Sequence, residues 1–367
     1  MMKKISIIAA IILAVIIAGI LFMNDSQQET EVTKKQTKVG FLLNGSCQDN
    51  SWGESHYLGM ENSAKTLNLN VTYRENVKED ESCLAIIEEL ITEGCEIIIC
   101  NSFGQGEWAL QAAKKYPEVY FFHATGIEEA ENLSTYFGRI YQMRYLSGIV
   151  AGLQTKTNAI GYVAAFAIDE VNRGINAFTL GVRAVNPEAN VYVTWSESWT
   201  DDAAAETATK TLIDTYDIDV LAMHTDTNKP LEIADKNGIW SIGYNMDNSE
   251  LYPDTFLTAP VWNWENFYEP RILECLQGKF QAKHYWEGVD SGVVALAPFT
   301  DNVVPEATAA VEHEIERLQS GTFDVFYGPI IDREGNLHVE SGESMSDEAM
   351  LNDFAWYVEG VVIHGEQ

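Results

Sequence analysis

Residues Asn158–Asp202, NAIGYVAAFAIDEVNRGINAFTLGVRAVNPEANVYVTWSESWTDD, repeat the plan of Lys38–Glu79, KVGFLLNGSCQDNSWGESHYLGMENSAKTLNLNVTYRENVKE. Each copy opens on a short apolar strand holding a glycine, Gly40 or Gly161, and then breaks into small and polar residues. An amphipathic helix with an internal glycine follows (Gly59, Gly181), and a second strand leaves an asparagine (Asn70, Asn190). The three offsets are 121, 122 and 120 residues, so one unit is used twice. An apolar run, a helical period and another apolar run make a βαβ unit, and two of them predict two similar α/β lobes.

Outward from the repeat, the alternation continues. In the first lobe the pattern predicts strands at Val39–Leu43, Val71–Tyr73, Ile97–Cys100 and Tyr120–His123. In the second it predicts Ile160–Val163, Val191–Trp195, Val220–Met223 and Ser241–Tyr244. Helical periods lie between them, which implies parallel sheets covered on both faces. The tail adds apolar runs at Val293–Ala297 and Val325–Ile331, a helix at Pro305–Leu318 and an amphipathic segment around Phe354–Val362. The expected division is a first lobe of residues 38–155 plus about 262–300, and a second of 156–261 plus about 301–367. In doubly wound sheets ligands sit beyond the strand C-termini, so the cleft between the lobes is the expected site.

The N-terminus sets the compartment. Lys3 and Lys4 precede an almost unbroken apolar run, Ile5–Met23. Its length suits an uncleaved anchor or a long export signal, with the flanking lysines kept in the cytoplasm. Residues 1–23 are read as that segment and residues 24–37 as a polar tether, which places the body outside the cytoplasmic membrane. The formal charge of −32 argues against nucleic acid, whose phosphates such a surface repels. Five cysteines without regular spacing make no disulfide framework and read as buried thiols.

Four of the nine tryptophans, Trp52, Trp199, Trp262 and Trp264, fall in loops expected to face the cleft, with Phe103 beside them. Such rings suit a flat aromatic ligand held by stacking. The same loops carry Asp49, Glu170, Asp226 and Asp247. Ionised carboxylates only accept hydrogen bonds and so suit a ligand rich in N–H groups, or a cation in an aromatic cage. Asp49 and Asp247 are also well placed to cap a helix or a turn. No phosphate loop, dinucleotide fingerprint, zinc-hydrolase spacing, deaminase signature or nucleophile elbow is present, so binding is expected rather than catalysis, with no cofactor and no metal.

The segments QDNSWGESH, NSFG, FHATG, EVNRGINAF, LGVRAVNPEA, WSESWTD and MHTDT, in this order from Lys38 to about Ile331, resemble the basic membrane protein family of ABC-transporter substrate-binding proteins, in particular a purine-binding branch. The resemblance implies the type I periplasmic-binding fold, two doubly wound parallel-sheet lobes closing on a ligand. It also implies a monomer that delivers its ligand to the permease of an ABC importer. Family members that bind purine nucleosides carry Asp-x-Ser-Phe-Asn in the first loop, where this chain has Asp49-Asn50-Ser51-Trp52-Gly53. The family's aspartate after the late second-lobe strand is matched to Asp247 in YNMDN, and the lysine of nucleoside binders is missing from APVWNWENFY. Both departures fall where a ribose would be held and shift the expectation to a free base, adenine before others. The same fold binding a purine nucleoside or thiamine, an extracellular nucleoside hydrolase, and a sensor domain are the competing expectations.

Overall fold

A computed structural model describes residues 36–366, and from Thr37 on they form one compact unit. The two apolar strands of the first repeat become β1 (Lys38–Leu42) and β2 (Asn70–Arg74), and β3 (Ile97–Cys100), β4 (Tyr120–Ala124) and β5 (Leu133–Gly138) follow. The second repeat supplies β6 (Ala159–Ala164) and β7 (Asn190–Trp195), followed by β8 (Val220–His224), β9 (Trp240–Ile242) and β10 (Phe256–Thr258). The chain then forms β11 (Pro260–Trp262), β12 (His284–Glu287), β13 (Val294–Leu296), β14 (Ile330–Ile331), β15 (Leu337–Val339) and β16 (Val361–Ile363). One sheet has the order β12-β5-β4-β3-β1-β2, the other β10-β9-β8-β6-β7-β16. Every neighbouring pair in both is parallel. In each lobe the first strand of the repeat lies between the lobe's third strand and the second strand of the repeat (β3-β1-β2 and β8-β6-β7), so the repeat read from sequence is a repeat of topology.

The repeat glycines permit close packing of helices. A Cβ on Gly181, in the helix Asp169–Val185, would meet the Tyr145 carbonyl oxygen at 1.9 Å, where the helix Tyr141–Gln154 crosses. A Cβ on Gly59, in the helix Trp52–Leu67, would meet the Trp264 Cβ at 2.6 Å. Cores of Val, Ile, Leu and Phe fill both sheets, as strands covered on two faces require.

Several expectations change. β5, whose six residues are all buried, joins the first sheet although its sequence, LSTYFG, has no clear strand period. Two strands arrive from far along the chain: β12 at the edge beside β5, and β16 at the edge beside β7. Within the apolar run Val325–Ile331 only Ile330–Ile331 pairs, with β15 in a small antiparallel ribbon. β10 completes the second sheet, and β11 pairs antiparallel with β13 in a separate two-stranded sheet. All five cysteines are free; four are buried, while Cys47 is only half-buried because it sits in the loop after β1. No helix among the described residues is long and apolar enough to cross a membrane. The expected anchor, Ile5–Met23, lies outside the described residues, as does almost all of the tether.

Candidate functional site

The loops at the C-terminal ends of the two sheets meet. Asn228 Nδ2 donates to the Asn50 carbonyl at 3.0 Å, and Asn245 Nδ2 to Ser51 Oγ at 3.0 Å, so first-lobe and second-lobe loops touch directly. Beside these contacts a cavity of about 450 Å³ opens, with Asp49 and Asn50 on one wall and Asp202, Asp226 and Asn228 on the other. Its volume lies in the range of small-molecule sites. A larger cavity, about 530 Å³, lies where β5 and β12 end, against the tail; Arg139, Glu287, Asp290 and Asp347 line it, and none of the expected ligand residues does.

On the first-lobe face, Asp49 organises the start of the helix Trp52–Leu67. Its Oδ1 accepts the N–H groups of Ser51 (2.8 Å) and Glu54 (3.0 Å), and its Oδ2 that of Gly53 (2.9 Å). Burial raises the Asp49 carboxyl above its ordinary range despite these bonds. Trp52 is the first residue of the helix. Its indole N–H donates to the Asn101 carbonyl at 3.0 Å, and its ring stands edge-on to His56 (4.3 Å), Trp264 (5.6 Å) and Trp262 (5.8 Å). Trp262 stacks on Trp264 at 4.5 Å and donates its N–H to Asn245 Oδ1 at 2.9 Å, which ties the crossing to the second lobe. Trp264 was expected in the cleft. It is fully buried, stacked between Trp262 and His56, and belongs to the core. Phe103 begins a short 3-10 turn, is 63% exposed and stands apart from this ring cluster.

The second-lobe face is polar. Glu170 was placed in a loop, but the helix starts at Asp169, so Glu170 sits in its first turn. His224 ends β8; its Nδ1 lies 3.2 Å from the Tyr162 hydroxyl and its Nε2 lies 3.3 Å from Glu170 Oε1. Burial, then the charge of Arg144, hold His224 down to about 4, so its ring is neutral at pH 7. Burial would push Glu170 up, but the contact with His224 and the charges of Arg173 and Arg144 outweigh it and keep the carboxyl below its ordinary range. Asp226, partly buried, is pushed up to about 8, by burial first and then by the negative charges of Asp49 and Glu170, against a hydrogen bond from Asn245 Nδ2 to its Oδ1 at 2.9 Å. Trp199 is half-buried, 6.0 Å from the His224 ring and 5.9 Å from Phe166, and its carbonyl accepts the Asp226 N–H at 2.7 Å.

Asp247 is exposed, and its carboxylate accepts the Ser249 N–H at 2.9 Å. Asn245, two residues earlier and in the left-handed conformation (φ 70°), is the residue of YNMDN that reaches Ser51, Asp226 and Trp262. Of the expected ligand residues, Asp49 and Asp226 line the cavity, Trp52 and Trp262 are buried in the ring cluster, Trp199 and Glu170 gather around His224, and Phe103 and Asp247 are exposed. Sequence reasoning missed Arg144, His224 and Asn245. The signal for Arg144 was a single charge in the otherwise uncharged helix YQMRYLSGIVAGLQ; the other two stood unselected in loops already assigned to the cleft. Among the described residues no group of three His, Cys, Asp or Glu side chains is arranged to hold a metal ion.

A family model described as "ABC transporter substrate-binding protein PnrA-like" matches residues 36–321. The chain belongs to that family. A purine-binding protein of Brucella abortus is 34% identical over 331 residues, covering 89% of this chain and 93% of its own. A protein of Haloferax volcanii, named as an ABC transporter glucose-binding protein, is 35% identical over 80% of this chain and 72% of its own. The crystal structure of a transcriptional activator of the comK gene from Bacillus halodurans superposes with a TM-score of 0.69 at 25% identity, over 78% of this chain and 99% of its own. Solved ABC solute-binding proteins share the two-sheet arrangement, which is the periplasmic-binding fold. As a family member this protein is a substrate-binding protein of the extracytoplasmic, ABC-transporter class.

Proposed function

We propose that the protein captures a purine base, adenine before others, between its two lobes and delivers it to the permease of an ABC importer. The observation that carries this reading is that two carboxyl groups gather around the half-buried Trp199: Glu170 through His224, whose ring lies 6.0 Å from that of Trp199, and Asp226 through its N–H bond to the Trp199 carbonyl. Glu170 is kept ionised and only accepts, whereas Asp226, with its titration near 8, keeps a proton at neutral pH and can donate as well. A neutral heterocycle with ring nitrogens beside N–H groups satisfies both. Trp199 and Trp52 offer the rings for stacking, and the purine-binding relative lends support at 34% identity. Binding draws the lobes from open to closed through the crossings between them.

The test is calorimetry with adenine, hypoxanthine, guanosine, D-glucose and thiamine. Glucose is included because a relative at 35% identity is named for it. Adenine is expected to bind at micromolar affinity or better, about −8 kcal/mol. Binding of glucose alone, or of thiamine alone, would overturn the purine reading. Turnover of adenosine or inosine by the purified protein would make it an enzyme instead.

A further inference from the structure

Beside Trp199 and Asp226 the second lobe holds three side chains with buried polar atoms that lack a well-aligned partner. Arg144 Nε and Nη2, Glu170 Oε1 and His224 Nε2 reach neither solvent nor a hydrogen-bond acceptor or donor of suitable alignment. Each lies on a different element, respectively the helix Tyr141–Gln154, the helix Asp169–Val185 and the end of β8, and packing brings the three together. Arg144 is anchored at one end only: its Nη1 donates to the Met223 carbonyl at 2.8 Å, and its guanidinium lies 3.9 Å from the centre of the Tyr244 ring. Arg144 and His224 are fully buried, whereas the Glu170 side chain keeps 23% exposure, so the carboxylate is the cluster's open edge.

We propose that Arg144, Glu170 and His224 form a ligand subsite of the second lobe for a neutral, planar edge that carries a hydrogen-bond acceptor beside an N–H donor. The amidine edge of an aminopurine has that pattern, and the choice of a purine rests on the function proposed above. Charge selects the class. A cationic ligand would meet the buried guanidinium of Arg144, and an anionic one would meet the Glu170 carboxylate; a neutral edge with both polarities meets neither penalty. The assignment of atoms follows from what is already used. With the Tyr162 hydroxyl donating to His224 Nδ1, the imidazole proton sits on Nε2 and faces Glu170, which orients the carboxylate. Glu170 is then left to accept the ligand's N–H, and the free N–H groups of Arg144 to donate to the adjacent acceptor. A buried polar network left partly satisfied is unfavourable, and a ligand that completes it gains from the low local dielectric.

The experiment measures binding of adenine and of unsubstituted purine, which lacks the exocyclic amine, to wild type, Glu170→Met, Arg144→Met and the double variant. The ligand-free melting temperature of each is recorded as well. Wild type should prefer adenine over purine at least tenfold. Glu170→Met should reduce that preference to within about threefold, and Arg144→Met should weaken both ligands at least tenfold. The ligand-free double variant should melt at or above wild type, because two charged groups with buried, unsatisfied polar atoms are replaced by shape-matched apolar groups. Unchanged affinities and an unchanged preference in folded variants would overturn the subsite while leaving the purine reading intact. If instead hypoxanthine, guanosine, glucose or thiamine binds and neither adenine nor purine does, adenine and the aminopurine edge are rejected. The subsite then stands only if that ligand is hypoxanthine or guanosine and both substitutions weaken it tenfold; glucose or thiamine as that ligand rejects the neutral planar edge outright. If none of these ligands binds, a double variant melting below wild type overturns the subsite, and one melting at or above it supports it.

Discussion

The two faces of the cleft are built from the same repeat and use their polar groups differently. On the first-lobe face the side chains are mostly committed. Asp49 accepts three backbone N–H groups, Trp52 donates to Asn101, Trp264 donates to Ser55 Oγ at 3.2 Å, and the rings pack on one another. What remains unpartnered there, His56 Nε2 and Asn101 Nδ2, is uncharged at neutral pH. On the second-lobe face the uncommitted atoms include those of two charged groups, Arg144 and Glu170, beside the neutral His224 Nε2. One face is therefore a rigid aromatic wall, and the other holds electrostatic capacity that packing alone leaves unused. The ring cluster and the uncommitted charged groups therefore stand on different lobes.

The largest effect that could break this comparison is expected at Trp52. Trp52→Ala removes a ring at the centre of the first-lobe cluster and frees the Asn101 carbonyl, so it should cost about 3–5 kcal/mol of stability in denaturant unfolding. A loss below about 1 kcal/mol would mean that the wall is not structural.

A smaller effect should appear at Asp226. Its carboxyl titrates near 8 in the folded protein and near 3.9 in the unfolded chain. Between those values the folded state holds a proton that the unfolded state has lost, so this group's contribution to stability falls as pH rises through the window and levels off above 8. Asp226→Asn carries no such proton. Its stability relative to wild type should therefore rise by about 1–3 kcal/mol between pH 5 and pH 8, read from urea curves at each pH. Parallel profiles for the two proteins would place Asp226 among ordinary exposed carboxylates and weaken the contrast between the faces.

The smallest effect belongs to Asp247, which lies on the rim and belongs to neither face. With its carboxylate exposed and bonded to the Ser249 N–H, Asp247→Asn should shift stability by no more than about 0.5 kcal/mol. Affinity for whichever ligand binds should stay within about twofold. A tenfold loss of affinity would return Asp247 to the site and displace Asn245 from the role its contacts support.

Much of the fold was legible because strand–helix alternation is a local signal. The predicted strands β1 to β4 and β6 to β9 all form within a residue or two at most ends, since each carries its own apolar run. β5 was missed because burial on both faces leaves no alternation to read in LSTYFG. β12 and β16 were missed because a short edge strand is defined by its neighbour, Thr135–Gly138 in one case and Val191–Val193 in the other. Within the candidate site, the placement of Trp52, Trp199 and Asp226 beyond strand ends was legible from their position in the chain. Trp264 was not, because which ring of WNW enters the core depends on the helix Trp52–Leu67 packing against it.

The sequence by itself determined a repeated α/β chain, two parallel sheets and a cleft beyond their strand ends. Those properties follow from hydrophobic period and from the handed, short-range connections of βαβ units. Only the tertiary structure decided which side chains enter that cleft and in what charge state. Asn245 rather than Asp247 points inward because its left-handed backbone turns the loop. Glu170 is held below its ordinary range, against burial, by His224, Arg173 and Arg144, whereas Asp226 is raised by burial first and then by the charge of Asp49, and none of this is visible along the chain. Periodicity reports what a residue's neighbours along the chain require; protonation and hydrogen-bond partners report what surrounds it in space.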